Sequence, residues 1–325
     1  MLQPLVPMEP TFSSSIPHTH SQKWSAQLKW DGVRLLVHWN GIETRLYNRR
    51  QRDRTLHYPE LIPASAYCKA QSIILDGEIV ALGADGKPSF HEVMRRDGIR
   101  QMHKVVYARQ QTPISYMAFD ILYLNGEWIT NKTFLERQSI LQGQLLPHNI
   151  VQLVPTFTEG DALFQVAQEH GLEGIVLKNK QSPYSIGEKN EHWLKIKHSH
   201  DLFAIIGGYT IKNGRINALI VGLYDESHAL HGIGHVGSGK LGQHEWIPLT
   251  EQLVFLQQSS SPFDFTPERA FYDMQTCWVQ PVLTVRIQYM AWTPAHSMRQ
   301  PVLQSIVSIP PEQCTWMAIP NRPFK

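Results

Sequence analysis

The sequence predicts an α+β domain followed by a smaller β-barrel domain, and three observations carry that reading. At 325 residues the chain is long enough to bury two cores. Up to about residue 200, β-branched runs are mixed with a few well-signalled helices, as in an α+β domain. Beyond the polar His198-Ser199-His200-Asp201, short apolar runs recur at even spacing between turn residues, which suits a small barrel. The expected division is an arm at 1–20, a first domain at 21–199 and a second at 200–325.

Taken in order, residues 1–20 carry Pro4, Pro7, Pro10, Pro17 and Ser13-Ser14-Ser15, and read as an extended arm. Residues 24–28 and 33–39 read as paired strands meeting at the turn dipeptide Asp31-Gly32. Asn40-Gly41 then predicts a two-residue hairpin into a strand at 42–47. A β run at 73–82 contains Asp76-Gly77-Glu78, a short helix is expected over 90–96, and a strand at 114–124 closes at Asn125-Gly126. Thr133-Phe134-Leu135-Glu136 has capping-box spacing and opens a helix that Pro147 stops. Thr158-Glu159-Gly160-Asp161 opens another, ended by Gly171 and followed by a strand at 174–177. In the second domain, strands are expected at 202–210, 216–224, 230–236 and 279–292, with a helix over 249–257.

Composition narrows the classes. No apolar run approaches the roughly 20 residues of a membrane helix. The N-terminus lacks a basic segment followed by an apolar core, so no signal peptide is expected, and the expected compartment is the cytoplasm. Cys68, Cys277 and Cys314 are too few and too scattered for a disulfide framework or a zinc site. His18/His20 and His198/His200 lack the companion ligands of a known metal site. A net charge of +2 implies no whole-chain attraction to nucleic acid, but the charge is clustered. Arg45, Arg49, Arg50, Arg52 and Arg54 form one group and Arg95, Arg96 and Arg100 another, a pattern suited to phosphate backbones or to a solvated face.

The chemistry centres on Lys29-Trp30-Asp31-Gly32-Val33-Arg34. Glycine beside the lysine lets a ligand approach the backbone closely. Arg34, five residues on, is expected to favour the neutral amine of Lys29 and to hold an anion. A lysine so placed is a nucleophile, although an isolated Lys-x-Asp-Gly also describes a surface lysine beside a turn. Four more segments follow in order: Leu75-Asp76-Gly77-Glu78-Ile79-Val80, Ala118-Phe119-Asp120-Ile121-Leu122, Glu173-Gly174-Ile175-Val176-Leu177-Lys178 and Trp193-Leu194-Lys195-Ile196-Lys197. Together the five resemble the ordered motifs of the covalent nucleotidyltransferases, specifically the ATP-dependent DNA ligases, and most of all the ligase module of bacterial end-joining ligases (LigD).

That resemblance implies an ATP-grasp-like nucleotidyltransferase (adenylation) domain followed by an OB-fold. It implies that Lys29 attacks the α-phosphate of ATP, carries AMP as a phosphoramidate and passes it to the 5′-phosphate of a DNA nick. A 3′-hydroxyl then seals the strand. Arg34 and Arg49 match residues that hold the nucleotide and the phosphates. Glu78 matches an acidic residue near ribose and metal, Phe119 an aromatic that stacks on adenine, and Glu173 a carboxylate for Mg²⁺ or Mn²⁺. Lys195 and Lys197 alternate along a strand, share a face and match the pair that flanks the α-phosphate. The arginine group at 45–54 is the expected DNA contact. The family analogy implies repair or end joining near the bacterial nucleoid, with a Ku-type end-binding protein and a repair polymerase as partners, and a monomer as the default.

Two positions depart from the family pattern. Relatives usually carry an acidic residue two places before the lysine, able to accept from the adenine amino group; here it is Gln27, whose carbonyl can accept the same bond. The C-terminal Arg-x-Asp-Lys is also missing, with Leu303-Gln304-Ser305-Ile306-Val307-Ser308 where it is expected. Arg299 or another basic residue then takes its place, or self-adenylylation is slow. RNA ligase, capping guanylyltransferase and a nick-binding protein impaired in self-adenylylation are the alternative readings.

Overall fold

The segment around Lys29 crosses between two sheets; it is not the turn of a hairpin. The computed structural model describes residues 3–17, 21–264, 275–293 and 295–318. The chain divides into two units, 1–198 and 199–325. In the first unit the elements begin with β1 (Glu9–Phe12), β2 (Trp24–Leu28), β3 (Val33–Trp39), β4 (Thr44–Asn48) and β5 (Ile73–Ala81). Next come α1 (Phe90–Asp97), α2 (Val105–Gln111), β6 (Ile114–Leu124), β7 (Glu127–Trp128) and α3 (Phe134–Gln144). The unit closes with β8 (Val151–Leu153), α4 (Gly160–Glu169), β9 (Gly174–Asn179) and β10 (Lys189–Lys197).

One sheet has the order β1-β10-β9-β2, the other β4-β3-β5-β6-β7 with β8 beside β6. Strands β2 and β3, expected to pair, lie in different sheets: β2 pairs β9, and β3 pairs β4 and β5. The physical reason is range. A turn dipeptide specifies a reversal, but β2 finds its partner about 150 residues later, which no local pattern announces.

Alternation then sorts the residues of each strand. On β3 and β5, Leu35, Val37, Leu75 and Ile79 pack into a core that also takes Val93 of α1 and Leu141 of α3. Leu36 and Ile74, on the opposite face, meet Trp193 of β10 in a second core between the sheets. Ala26, Ile175, Leu177, Leu194 and Ile196 turn away toward Leu163 and Ala167 of α4. The intervening residues, Gln27, Val176, Lys178, Trp193, Lys195 and Lys197 on one sheet and Arg34, Asp76 and Glu78 on the other, are left facing the space between.

Several expectations need correction. The described part of the N-terminal arm is built into the fold: β1 runs parallel to β10, and Leu5 and Met8 are buried in the inter-sheet core. Asn40-Gly41 begins a four-residue loop, Trp39 pairing Thr44, because the Asn40 side chain accepts from the N–H groups of Ile42 and Glu43. Asn125 and Gly126 do form a tight turn, with φ of 46° and 100°, between β6 and β7. The Thr133 capping box is present, with Glu136 Oε2 accepting from the Thr133 N–H at 2.7 Å. Helix α2 and strands β1 and β8 carry no sequence signal strong enough to have been expected.

The second unit contains β11 (His200–Lys212), β12 (Arg215–Tyr224), β13 (Leu230–Val236), α5 (Gln243–Phe255) and β14 (Gln257–Gln258). After these come β15 (Gln275–Val279), β16 (Thr284–Tyr289), β17 (Ala291–Trp292), β18 (Met298–Arg299) and β19 (Val302–Val307). Strand β11 serves two neighbours on one edge, β16 through 200–205 and β15 through 208–211, while β12 lies on its other edge. Glycines 207 and 208 permit this change of partner, since a Cβ on Gly207 would overlap the ring of Phe263. The expected strand at 279–292 is broken at Pro281, and α5 starts before Pro248, which lies inside it.

Candidate active site

Lys29 leaves β2 with its N–H donated to the carbonyl of Gly174 at 2.9 Å, so its side chain begins beside the start of β9. Its Nζ lies 2.6 Å from Glu173 Oε2, and Lys197 Nζ lies 2.8 Å from Glu173 Oε1. One carboxylate, 5% exposed, thus bridges two ammonium groups, while the Lys29 side chain at 22% keeps a path to solvent. Lys195 shares the Lys197 face; desolvation first, then the positive charges of Lys197 and Lys29, holds its amine below the ordinary lysine range.

Gly32 shapes the crossover. A Cβ there would collide with the backbone carbonyl of Ile79 on β5, and backbone cannot step aside cheaply. Gly32→Ala is therefore expected to displace the Lys29 segment and slow any reaction of its amine by about 5- to 150-fold, from a strain of about 1–3 kcal/mol. Single-turnover labelling at saturating nucleotide would measure this, with thermal melting reporting whether the fold persists.

Arg34 does not play the part expected from its spacing. Its guanidinium grips Asp76, Nε to Oδ1 at 2.9 Å and Nη2 to Oδ2 at 2.5 Å. Tyr184 donates its hydroxyl to the same Oδ2 at 2.6 Å and accepts from the Met8 N–H. The guanidinium also lies 5.3 Å from the Phe119 ring centre. Lys29 thus pairs with a carboxylate, and the charge of Arg34 is answered by Asp76. Glu78, opposite Arg34 in the β3–β5 register, has its carboxyl pushed up to about 8. Desolvation is the main cause; Lys29 and Arg34 oppose it and Asp76 and Glu173 add to it.

Phe119 is half-buried, edge-on to Trp193 with centroids 6.1 Å apart. Lys178 is enclosed behind it, Nζ 4.5 Å from the Phe119 centroid, 3.9 Å from that of Trp193 and 3.1 Å from the Phe119 carbonyl oxygen. Burial pulls its amine down to about 7; Asp120 and Asp76 oppose this, and Arg137 and Arg34 reinforce it. Between pH 7 and the ordinary 10.5, the unfolded chain holds a proton on Lys178 that the folded chain lacks. The stability of the wild type relative to Lys178→Met is therefore expected to rise with pH across that window, as read by urea unfolding at several pH values. A flat difference would contradict the burial.

Gln27 is 2% exposed, with its Nε2 directed at Gln138, Thr156 and the carbonyl of Val154. The arginines are dispersed. Arg45 pairs with Glu43 and Asp53, and Arg54 with Asp97. Arg49, Arg50 and Arg52 are exposed around the tight turn after β4 and form no ion pair among the described residues. Arg96, read as part of a phosphate-binding group, is instead a core residue at 0% exposure, held by Glu60 and the carbonyls of His57 and Thr112. Sequence reasoning missed Asp76 and Lys178 as site residues although both lie within quoted motifs. Tyr184, Gln138 and Thr156 carry no local signal at all.

Among the described residues, no group of three or more His, Cys, Asp or Glu side chains stands ready to hold a metal, and His18 and His20 lie outside them. Glu78 lies on β5 and Glu173 just before β9, and the charge of Glu173 is one of those that push the Glu78 carboxyl up. Two carboxylates, one of them poorly compensated, fit a hard divalent cation that completes its shell with phosphate oxygens and water.

Comparison with known proteins shows the family. The model of the ATP dependent DNA ligase domain matches residues 5–197, and that of the ATP dependent DNA ligase C terminal region matches 212–307. The chain belongs to the ATP-dependent DNA ligases, the first unit being the adenylation domain and the second the OB-fold domain. It is 31% identical over 302 residues to the multifunctional non-homologous end joining DNA repair protein LigD of Mycobacterium tuberculosis. That match takes in 91% of this chain and 37% of the relative, so the chain spans little more than a third of the length of LigD. The SPbeta prophage-derived DNA ligase-like protein LigB of Bacillus subtilis is 32% identical over 196 residues, 60% of this chain and 68% of that one. The solved structure of mycobacterial DNA ligase D complexed with ATP and MES has a TM-score of 0.53 at 28% identity, covering 96% of this chain and 98% of that chain.

Proposed function

We propose that the chain seals 5′-phosphate/3′-hydroxyl nicks in duplex DNA through a lysyl-AMP intermediate on Lys29. The observation that carries this is the Lys29–Glu173–Lys197 bridge: a reachable amine, a carboxylate 2.6 Å from it and a second ammonium behind. Attack on the α-phosphorus forms an N–P bond, expels pyrophosphate and requires the amine to shed a proton. Glu173 Oε2 is the acceptor within reach. Lys195 and Lys197 would balance charge on the α-phosphate, and Phe119 would offer its ring to adenine. A Mg²⁺ or Mn²⁺ ion held by Glu78 and Glu173 would supply charge neutralisation at the phosphates. Arg34 braces Phe119 and the inter-sheet wall through its hold on Asp76, and its Nη1, which makes none of those bonds, would be the donor offered to a phosphate. Arg49, Arg50 and Arg52 are the exposed cations of the expected DNA contact.

The end-joining setting, with a Ku-type protein and a repair polymerase beside nucleoid DNA in the cytoplasm, follows from the likeness to LigD. Incubation with α-labelled ATP and Mg²⁺, then with nicked duplex, tests the reading: labelled protein that loses its label as the nick closes is expected. No label, with sealing of a pre-adenylylated nick, would restrict the activity to the last step and point to the missing Arg-x-Asp-Lys. Neither label nor sealing would overturn the proposal.

A further inference from the structure

The Gln27 amide is held in one orientation by the Val154 carbonyl, which can only accept. Its Nε2 lies 3.1 Å from Thr156 Oγ1, 3.2 Å from Gln138 Oε1 and 3.4 Å from the carbonyl oxygen of Val154. A backbone carbonyl only accepts, so the atom facing Val154 is the nitrogen. Gln138 is pinned in the same way: its Nε2 donates at 2.8 Å to the carbonyl of Phe119, which turns its Oε1 toward Gln27 and Thr156. The Thr156 hydroxyl donates onward to that Oε1 at 3.3 Å. The hydrogen bonds therefore run one way, from Gln27 through Thr156 and Gln138 to the Phe119 carbonyl. Gln27 Oε1 is the amide atom left out, and it accepts from no described residue.

We infer that Gln138 and Thr156 are specificity-determining positioning residues, which lock Gln27 so that only its acceptor oxygen is offered to the edge of the bound purine. The inference rests on the nucleotide site proposed above. Adenine presents a 6-amino donor where guanine presents a 6-oxo acceptor, so a fixed carbonyl oxygen favours the first and repels the second. A glutamine free to turn over would serve both bases, and the lock removes that ambiguity. Gln138 also holds the backbone of Phe119, so one residue ties the edge contact to the ring beneath the base.

The same geometry makes the pocket specific for glutamine at position 27. A carboxylate there would turn an oxygen without a proton toward Val154 O and Gln138 Oε1, two acceptors. The acidic residue usual in relatives is therefore unsuited to this chain.

The test is kcat/KM for self-nucleotidylylation with α-labelled ATP and with α-labelled GTP, on the full chain and on Gln138→Leu, Thr156→Val and Gln27→Glu. Gln138→Leu is expected to lower the ATP-to-GTP ratio by about tenfold, the worth of one hydrogen bond kept or lost, with the change carried in KM. Thr156→Val, at an exposed and nearly isosteric position, moves the ratio the same way by about threefold. Gln27→Glu raises KM for ATP. An unchanged ratio in both Gln138→Leu and Thr156→Val, with both nucleotides slowed alike, would overturn the inference, as would a Gln27→Glu protein with equal or lower KM for ATP. A wild type labelled by neither nucleotide would overturn the ligase reading and the inference with it. A labelled wild type with insensitive variants would sink the inference alone.

Discussion

Lys29→Arg is expected to take up no label from α-labelled ATP, a loss of at least about a thousandfold, while still closing a nick that already carries AMP on its 5′-phosphate. Arginine keeps a positive charge for Glu173 to hold, so the bridge from the end of β2 to the start of β9 keeps a cation in place. What it lacks is an amine that can deprotonate and attack, because a guanidinium stays protonated at any working pH. The second half of the expectation separates roles. Attack by a 3′-hydroxyl on an activated phosphate needs the surrounding charges but not the lysine nucleophile. Label incorporation and sealing of the pre-adenylylated nick, measured on one preparation, check both halves. A labelled Lys29→Arg protein would place the nucleophile elsewhere.

Arg137→Met is expected to destabilise the first unit by about 3–5 kcal/mol, the usual cost of breaking a buried pair on one side. Arg137 and Asp120 are both at 0% exposure, joined at 2.8 and 3.1 Å, and the second terminal nitrogen of Arg137 donates to the carbonyls of Lys132 and Ser182. Removing the guanidinium strands a buried carboxylate and two carbonyl groups together. Urea unfolding gives the change in free energy. The double variant Arg137→Met/Asp120→Leu is expected to recover part of the loss, because it removes the orphaned charge as well. If Arg137→Met alone were neutral, the pair would be reached by water and the described burial would be wrong.

How far the site could be read from the sequence depended on how local each signal was. Lys195 and Lys197 were placed on one face by alternation within a single strand, and the structure has that strand. The capping box at Thr133 and the turn at Asn125-Gly126 were equally self-contained. The pairing of β2 was not, because its partner lies across most of the unit. Arg34 went astray for a similar reason: its distance from Lys29 along the chain was visible, but the pull of Asp76 and Tyr184 was not. Arg96 looked like its exposed neighbours Arg95 and Arg100 until Glu60, far back in the chain, claimed it. Gln138 and Thr156 were invisible in principle, since a polar residue on a helix and another in a loop become a network only once the chain has folded.

The parallel pairing of β1 with β10 has a practical side. Phe12 is opposite Lys195, and the Ser13 N–H donates to the Lys195 carbonyl at 3.0 Å, so residues 9–13 cover the outer hydrogen-bonding edge of the strand that carries Lys195 and Lys197. A fragment trimmed to begin at Ser21, where the sequence alone would draw the domain boundary, leaves that edge bare. A long bare edge is an invitation for another copy to dock strand to strand. Truncation would thus show itself first as self-association and a loosened lysine pair, and the segment that looks dispensable on paper is better regarded as the outermost plank of that sheet.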